Sequence, residues 1–575
     1  MLENFRNRLA NVDALPQLAV LGLISGVLAG GVIILFRLTI EETQSLFIPG
    51  GSTENYEALS PLWRFLLPAL GGLLIGFIFH TLAKSGSVQI GVVHVLERLA
   101  YNQGHLPLRN FILQFIGASL SIISGHSVGR EGPGIHLGAA SGSLLGQWLH
   151  LPNNSIQTLV ACGAAASIAA SFNTPIAGVI FSMEVILMEY TIASFTPVIL
   201  AAVSATALTR LVFGSEPAFS VPSLQMASLL ELPYLLVVGL VIGALAAVFI
   251  SSLKWLTETS GKFPIWPRMA LAGVLTGLCA LVIPEVMGIG YDTVNQAMLG
   301  QLTLGLLLAV VAAKIIATTL GLGLGLPGGL IGPTLVIGAA AGGVLGFVAE
   351  GVFPGDAASP GFYAMLGMGA MMAATLQAPL AALMTMLELT ANPNIILPGM
   401  LAVVVSSMTS SHLFKRDSVF LSLLKARGLD YRSSPVAQSL RRSGVVSLLN
   451  RSFIKAPPVI NAEKAKHLLQ GQPLWILIEE DSTPKILLLA ADLARYLDTE
   501  AEKATDTSPS PETIKLLEIP AKRFDITSLH KQATLQQALE MMNKHGLDAL
   551  TIIEKSPQQV LGILTRQTLE SYYHN

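Results

Sequence analysis

The sequence predicts an all-α polytopic membrane protein that carries a small α+β domain at its C-terminal end. Of the 575 residues, 52% are hydrophobic and only 12% are charged, whereas soluble domains carry about 25% charged residues. Residues 426–575 hold 35 of the 70 charged side chains, 18 basic and 17 acidic. The apolar segments of the first 425 residues occur in two similar sets. These observations predict a membrane domain over residues 1–430 and a cytoplasmic domain over residues 431–575.

The first apolar segment, Leu18–Phe36, is uncharged and long enough to cross a bilayer. It lacks a small-residue cleavage site, so we predict a retained helix rather than a removed signal peptide. We expect an acidic loop containing Glu41, Glu42, Glu54 and Glu57 after this helix. Further apolar runs lie at about residues 62–80, 111–123, 156–171, 175–212, 229–253, 269–287, 302–326, 330–353, 362–376 and 395–413. Several are too short to span, and Gly and Pro interrupt them, which is typical of broken helices around a permeation site.

Basic residues at both ends of the membrane domain predict its orientation. Arg6 and Arg8 precede the first helix, and Lys415, Arg416 and Arg427 are among the basic residues that follow the last one. Because basic segments remain on the cytoplasmic side, we expect both termini in the cytoplasm. The predicted location is the plasma (inner) membrane.

The two halves of the membrane domain, residues 18–212 and 229–414, contain an internal repeat. Gly132–Ala140 matches Gly332–Ala340 at an offset of 200 residues. Other anchors keep the same order and nearly the same spacing, and they are Ile90-Gly91 with Ile289-Gly290, Gly142 and Gly146 with Gly342 and Gly346, and Gly163, Pro175 and Glu184 with Gly367, Pro379 and Glu388. Chance could explain one anchor, but the ordered set indicates a duplication. Similarity alone leaves parallel and inverted arrangements open.

Two equivalent Gly/Pro loops, Gly129–Pro133 and Gly329–Pro333, each open an apolar helix. A helix start offers unpaired backbone N–H groups and a positive dipole end, so two such starts facing each other form an anion site. Glu131 in the first loop corresponds to Ile331 in the second. One carboxylate could therefore occupy a site built for a free anion, gaining about 0.3–2 kcal/mol at a helix start. Neutralising Glu131 would vacate the site, which links protonation to anion occupancy.

Other interpretations of these polar residues stay open. Glu131 could cap its own helix or pair with Arg130, although ionisable groups inside a membrane are functional by default. Glu184 is repeated as Glu388, which favours a structural role. His126 and His136 flank the first loop, but they lack a cluster with zinc-like spacing, so we expect packed or pore-lining histidines and no metal site.

The quoted motifs resemble the CLC family of chloride channels and proton/chloride exchangers. The resemblance covers residues 18–430 and rests on Gly129–Pro133 (GREGP), on Gly329–Pro333 in place of a GxFxP-type loop, and on Asn173–Gly178 (NTPIAG). It implies an all-helical inverted repeat and a homodimer with one anion pathway in each subunit. It also implies that Glu131 is the gating glutamate. By the same resemblance, the anion sites are lined by Arg130, Gly132, Leu330, Ile331 and Gly332.

Three positions depart from the family pattern. Ile90 aligns with an anion-coordinating serine, and Phe420 aligns with a coordinating tyrosine, so two hydroxyl donors are missing and anion selectivity is open. Val185 aligns with the internal proton-transfer glutamate of exchangers, whereas channel members commonly have valine there. The sequence therefore favours a voltage- or pH-gated chloride channel. A proton-coupled exchanger is the alternative, in which a water wire or Glu189 would carry protons.

The tail resembles a pair of CBS domains, with copies over residues 451–500 and 519–575. The second copy is clearer, with a helix at Leu535–His545, strands at Ala549–Ile553 and Val560–Leu564, and a closing helix at Arg566–Tyr573. Residues 504–513 are expected to link the copies. Nucleotide sites of such domains often end a Gly-h-x-T-x-x-D motif in an acid, where this chain has Thr568. We therefore expect no adenine nucleotide and no other cofactor.

Other function classes have little support. The net charge of −2 argues against nucleic acid as a partner. An enzyme would need a nucleophile with a base, or a metal cluster, inside the membrane domain, and we find neither in the sequence. A cation transporter would be expected to carry acids at both broken-helix loops, but Ile331 occupies one of them. The expected partners are chloride or another small anion, with protons in the exchanger alternative, the lipid bilayer and a second copy of the chain.

Overall fold

A computed structural model describes residues 6, 9, 14–49, 53–82, 89–216, 219, 224–354, 357–429, 435–480, 483–504, 513–554 and 559–574. The chain divides into two compact units. The larger comprises Leu18–Trp148 and Ile156–Tyr431, and the smaller comprises Met1–Gln17, Leu149–Ser155 and Arg432–Asn575.

The membrane domain is helical, as the apolar runs predict. The helices of its first half are α1 (Leu15–Ser45), α2 (Pro61–Leu82), α3 (Gly91–Tyr101), α4 (Leu108–Ile123), α5 (Glu131–Trp148), α6 (Asn153–Phe172), α7 (Pro175–Phe181) with a π-helical extension at Ser182–Leu187, and α8 (Ile192–Phe213). Those of the second half are α9 (Leu232–Ser260), α10 (Ile265–Val282), α11 (Tyr291–Met298), α12 (Leu304–Gly323), α13 (Ile331–Val352), α14 (Pro360–Leu376), α15 (Pro379–Thr390), α16 (Ile396–Met408) with a π-helical extension at Thr409–Leu413, and α17 (Val419–Ala426). Short 3₁₀ turns lie at Tyr56–Ala58, Leu229–Glu231, Pro284–Val286 and Pro393–Ile395. Within the described residues, nine helices are long and apolar enough to cross a membrane.

Two predicted boundaries are wrong. Glu41 and Glu42 lie within α1 rather than in a loop, because Arg37 Nε pairs with Glu41 Oε1 at 2.5 Å, one helical turn away. The single run predicted over residues 175–212 is broken after Leu187. There Met188 adopts a left-handed conformation with φ of 55°, which ends the helical segment before α8 begins.

The repeat is visible in how the helices cross. α5 crosses α6 so closely that a Cβ added to Gly138 would lie 2.2 Å from the carbonyl oxygen of Gly163. At the equivalent crossing of α13 with α14, a Cβ on Gly338 would lie 2.4 Å from the carbonyl oxygen of Gly367. Only glycine permits this backbone contact, which explains why these positions anchor the repeat in the sequence.

The halves meet in an antiparallel arrangement at the two Gly/Pro loops. Gly129 N donates to Gly329 O and Gly329 N donates to Gly129 O, both at 2.7 Å. These residues occupy equivalent repeat positions, and antiparallel pairing of equivalent residues relates the two loops by a local two-fold axis. The halves thus meet through equivalent loops, as the inverted repeat implied by the resemblance requires.

A second pair of repeat residues exchanges helix caps between the halves. Glu184 accepts hydrogen bonds from the backbone of Ala381 at 2.8 Å and Leu380 at 3.3 Å, at the start of α15. Glu388 accepts from Ala177 at 2.7 Å and Ile176 at 3.0 Å, at the start of α7. Each carboxylate satisfies N–H groups that the helix itself leaves unpaired. This geometry gives Glu184 the structural role that its duplication predicts.

The C-terminal α+β fold is also confirmed. Its strands are β1 (Phe453–Ala456), β2 (Val459–Asn461), β3 (Trp475–Glu480), β4 (Thr483–Leu489), β5 (Thr513–Lys515), β6 (Arg523–His530), β7 (Ala549–Ile553) and β8 (Val560–Thr565). Its helices are α18 (Pro435–Arg441), α19 (Ala462–Gln470), α20 (Ala490–Ala504), α21 (Leu535–His545) and α22 (Arg566–His574), with a 3₁₀ turn at Val445–Leu448. Residues 505–512 of the predicted linker lie outside the described residues.

Each predicted copy in the tail contributes three strands to one sheet of order β1-β3-β4-β6-β7-β8. Within each copy the first strand pairs parallel to the second, and the second pairs antiparallel to the third. Antiparallel pairing of β4 with β6 joins the copies, while β2 and β5 form a separate small sheet. The matching β-α-β-β-α order supports the predicted internal duplication.

We predict that Glu184→Ala and Glu388→Ala each lower the free energy of unfolding by about 1 kcal/mol, because each removes a helix cap. Reversible denaturation of the purified protein measures this loss, and exposed Glu42→Ala serves as the control. Unchanged stability in both cap variants would contradict the structural role of Glu184.

Candidate functional site

The two Gly/Pro loops form the centre of the candidate site. A Cβ added to Gly132 would lie 2.7 Å from the Cα atom of Gly329, so the loops pack backbone against backbone. This close approach places the start of α5 beside the start of α13. The arrangement predicted from the sequence, with two helix starts near each other, is therefore present.

The carboxylate of Glu131 binds to the opposite half of the repeat. Its Oε2 atom accepts a hydrogen bond from the backbone N–H of Gly332 at 3.1 Å, and its Oε1 atom accepts one from the hydroxyl of Tyr291. The Glu131 side chain is only 1% exposed. Gly332 is the second residue of α13, whose first N–H groups have no partner within the helix. A carboxylate thus occupies a position at which a helix start attracts anions.

Arg130 is directed to other partners. Its Nη1 atom lies 3.2 Å from Glu41 Oε1, and its guanidinium lies 5.5 Å from the centre of the Tyr291 ring. Ile331, at the repeat position of Glu131, is buried and contributes no charge. The loop pair thus contains one carboxylate, and the ion pair formed by Arg130 is with Glu41.

Four predicted anion-site residues line one cavity of about 680 Å³, which we call the loop cleft: Ile90, Gly132, Leu330 and Phe420. Gly332 instead donates to Glu131, and the guanidinium of Arg130 lies over the ring of Tyr291. Ile90 precedes α3, and Phe420 lies in the first turn of α17. Neither side chain offers a hydroxyl to the cleft.

Val185 lies in a different place. It lines a second cavity of about 590 Å³ together with Glu184, His412 and Phe420. Phe420 therefore borders both cavities, whereas Val185 borders only the second. An apolar side chain at this position offers no group that can bind or release a proton.

Two groups that interact with Glu131 or Arg130 were not predicted from the sequence. Tyr291 is the first residue of α11 and directly follows Ile289-Gly290, a repeat anchor that could have drawn attention to it. Glu54, in the loop between α1 and α2, interacts with Arg130, whose charge lowers the pKa of Glu54. Burial outweighs this attraction and raises the pKa of Glu54 to about 7.

The two histidines near the first loop have separate partners. His126 Nδ1 lies 2.9 Å from Ser124 Oγ, and His136 Nε2 lies 2.9 Å from His94 Nδ1. His136 is fully buried and stacks on the His94 ring. These contacts match packed histidines.

Comparison with known proteins finds chloride channels and transporters that are similar in sequence to this chain. The family model described as voltage gated chloride channel matches residues 71–411. A protein named putative chloride channel protein ClcB-like from Ralstonia nicotianae is 34% identical over 66% of this chain and 90% of its own length. The H(+)/Cl(-) exchange transporter ClcA of Vibrio cholerae is 29% identical over 68% of this chain and 86% of its own length.

A solved structure resembles the chain over nearly its whole length. The crystal structure of a eukaryotic CLC transporter covers 96% of this chain and 97% of its own chain, with a TM-score of 0.60 and 18% identity. At this identity the likeness concerns the fold. Together with the family model, which spans more than half of the chain, these findings place the protein: it is a multi-pass membrane protein that belongs to the CLC family of voltage-gated chloride channels and related anion transporters.

Proposed function

We propose that the chain transports chloride through a pathway gated by Glu131. The observation that carries this proposal is the hydrogen bond from Gly332 N to Glu131 Oε2 at the start of α13. A free anion that reached this N–H group would compete with the tethered carboxylate. The pathway is closed while the carboxylate occupies this position and opens when it leaves.

Protonation provides a physical reason for the carboxylate to leave. The ionised form gains about 0.3–2 kcal/mol from the helix start, and a hydrogen bond to a charged group contributes about 1.5–3 kcal/mol. The neutral acid loses most of the electrostatic part of both terms. Acidification outside the protein is therefore expected to favour a free anion over Glu131.

Chloride is the first candidate for the anion because relatives are named for it. The missing hydroxyls at Ile90 and Phe420 leave nitrate and fluoride as alternatives. These anions differ in size and in the strength with which they hold water. Competition among them measures the selectivity of the loop cleft.

Two modes of transport fit a Glu131 gate. Val185 favours passive conduction, as in a voltage- or pH-gated channel, because its side chain cannot carry a proton. The Vibrio cholerae relative is named an exchanger, and Glu131 itself can bind a proton, which favours coupled exchange at least as strongly. In the exchanger, a water wire or Glu189 would complete the proton path.

The proposal also covers the oligomeric state, the location and the cofactor requirement expected from the sequence. The chain acts as a homodimer in the plasma (inner) membrane, with one pathway per subunit and both termini in the cytoplasm. It works without a cofactor and is a transport protein rather than an enzyme. Thr568 stands where nucleotide-binding relatives of the tail have an acid, and its hydroxyl lies 2.8 Å from that of Thr565. The tail is therefore proposed to bind no adenine nucleotide.

Glu131→Gln is predicted to abolish the pH dependence of anion flux, because the neutral amide mimics the protonated acid at every pH. Chloride efflux from liposomes, measured between about pH 4.5 and 8, tests this prediction. In the unmodified protein, efflux should rise as the pH falls.

Glu54→Gln is the matched control, because it removes a carboxylate near Arg130 that does not bind Gly332. We expect it to retain the response to acid. If Glu131→Gln kept the full pH dependence and Glu54→Gln lost it, Glu54 would be the sensor and the gate assignment would be wrong.

A second prediction concerns coupling. With Val185 at the internal position, chloride efflux down its gradient should move no protons against theirs. Chloride and proton fluxes are recorded together in liposomes, with a potassium ionophore to clamp the voltage. Uphill proton movement driven by chloride would replace the channel assignment with exchange.

A further inference from the structure

The loop cleft contains two buried nitrogen donors that have no acceptor among the described residues. Gln114 in α4 is 0% exposed and lines the cleft beside Ile90. Its Oε1 atom accepts a hydrogen bond from the backbone N–H of Gly91 at 2.7 Å, which fixes the orientation of the amide. Within the described residues, its Nε2 atom has no hydrogen-bond partner. A buried amide nitrogen in this condition is costly, so an acceptor is expected to satisfy it.

Arg268 in α10 lines the same cleft and is similarly unsatisfied. Its Nη1 atom donates a long hydrogen bond of 3.4 Å to Ser260 Oγ, while its Nε atom has no acceptor in the described part of the chain. No ion pair of Arg268 is present among the described residues. Glu258 also lines the cleft, but the ion pair it forms is with Lys254, at 3.8 Å. Within the described part of the chain, no carboxylate therefore directly neutralises the positive charge of Arg268.

In the second half of the repeat, the corresponding donor has hydrogen-bond acceptors. Lys314 lies 200 residues after Gln114, and its Nζ atom donates to the carbonyl oxygens of Val286 at 3.1 Å and Gly288 at 3.0 Å. The polar side chain at this repeat position is thus satisfied by backbone in one half. In the other half, the Nε2 atom of Gln114 has no acceptor among the described residues.

We propose that Gln114 and Arg268 supply side-chain ligands for the transported anion in the loop cleft. This inference rests on the proposed anion transport and extends it to the selectivity of the cleft. Ile90 and Phe420, which replace hydroxyl donors of the family pattern, line the same cavity. The amide and the guanidinium compensate for those hydroxyls, because each can donate to a small acceptor-only anion in the cleft.

Gln114 is tested with two variants that separate its acceptor atom, which binds Gly91, from its donor atom, Nε2. Gln114→Glu keeps an acceptor for Gly91 but replaces the free donor with an oxygen, whereas Gln114→Lys keeps a donor and loses the acceptor. Chloride binding to the purified full-length protein is measured by calorimetry at about pH 8.5, where the introduced carboxyl group is ionised. We expect Gln114→Glu to weaken binding about tenfold or more and Gln114→Lys to retain it. The opposite pattern would show that Gln114 only caps α3.

Arg268 has a matched control in Arg210, whose Nε atom donates to Asn173 Oδ1 at 2.7 Å away from the cleft residues. Arg268→Gln and Arg210→Gln remove the same charge. Chloride affinity should fall about tenfold in the first and by less than about twofold in the second. Arg268→Lys, which keeps the charge, provides a second variant if Arg268→Gln does not fold. It should bind chloride more tightly than Gln114→Glu.

The outcomes distinguish this inference from the proposed function. If the unmodified protein transports chloride but the Gln114→Glu and Arg268→Gln variants bind it with unchanged affinity, water rather than the anion satisfies these donors and the inference fails. If the unmodified protein neither binds nor transports chloride, the proposed function fails. Ile90→Ser in the Gln114→Glu background should restore part of the affinity, because it returns a hydroxyl donor to the cleft.

Discussion

Backbone pairing between Gly129 and Gly329 is the constraint on which the site depends. Two hydrogen bonds of 2.7 Å hold equivalent loops of the repeat together, and a side chain on Gly132 would collide with the backbone of Gly329. Because the loops cannot separate without losing these contacts, the starts of α5 and α13 are fixed near each other. The reciprocal caps from Glu184 and Glu388 join the halves at a second place.

Within this symmetric frame, the charge of the two loops is asymmetric. Glu131 has no acidic counterpart, since Ile331 occupies the equivalent position. The carboxylate therefore crosses to the other half and binds Gly332 and Tyr291. Arg130 forms its ion pair with Glu41, so the carboxylate is held mainly by groups that can equally hold a free anion. In the proposed mechanism, a proton or a competing anion is enough to displace the carboxylate.

The sequence was sufficient to predict the helical repeat, the C-terminal α+β pair and the position of Glu131. These features follow from local composition, from glycines at fixed offsets and from the order of apolar segments. Contacts between distant residues leave no such local signal, which is why Tyr291 was missed although it lies beside a repeat anchor. The length of α1 was underestimated because the ion pair between Arg37 and Glu41 stabilises helix beyond the apolar segment. Gln114 gave no signal alone, because the cleft around it and the lack of an acceptor for its nitrogen among the described residues are visible only in the structure.

The central claim is that the Glu131 carboxylate occupies a position that a free anion can take. The most direct test is the structure of the Glu131→Gln variant in bromide, with the anomalous signal of bromide used to locate the ion. We predict a bromide peak within hydrogen-bonding distance of Gly332 N in the variant, and no peak there in the unmodified protein at neutral pH. A variant without bromide at Gly332, or an unmodified protein with bromide and the carboxylate bound there together, would contradict competition between the two anions.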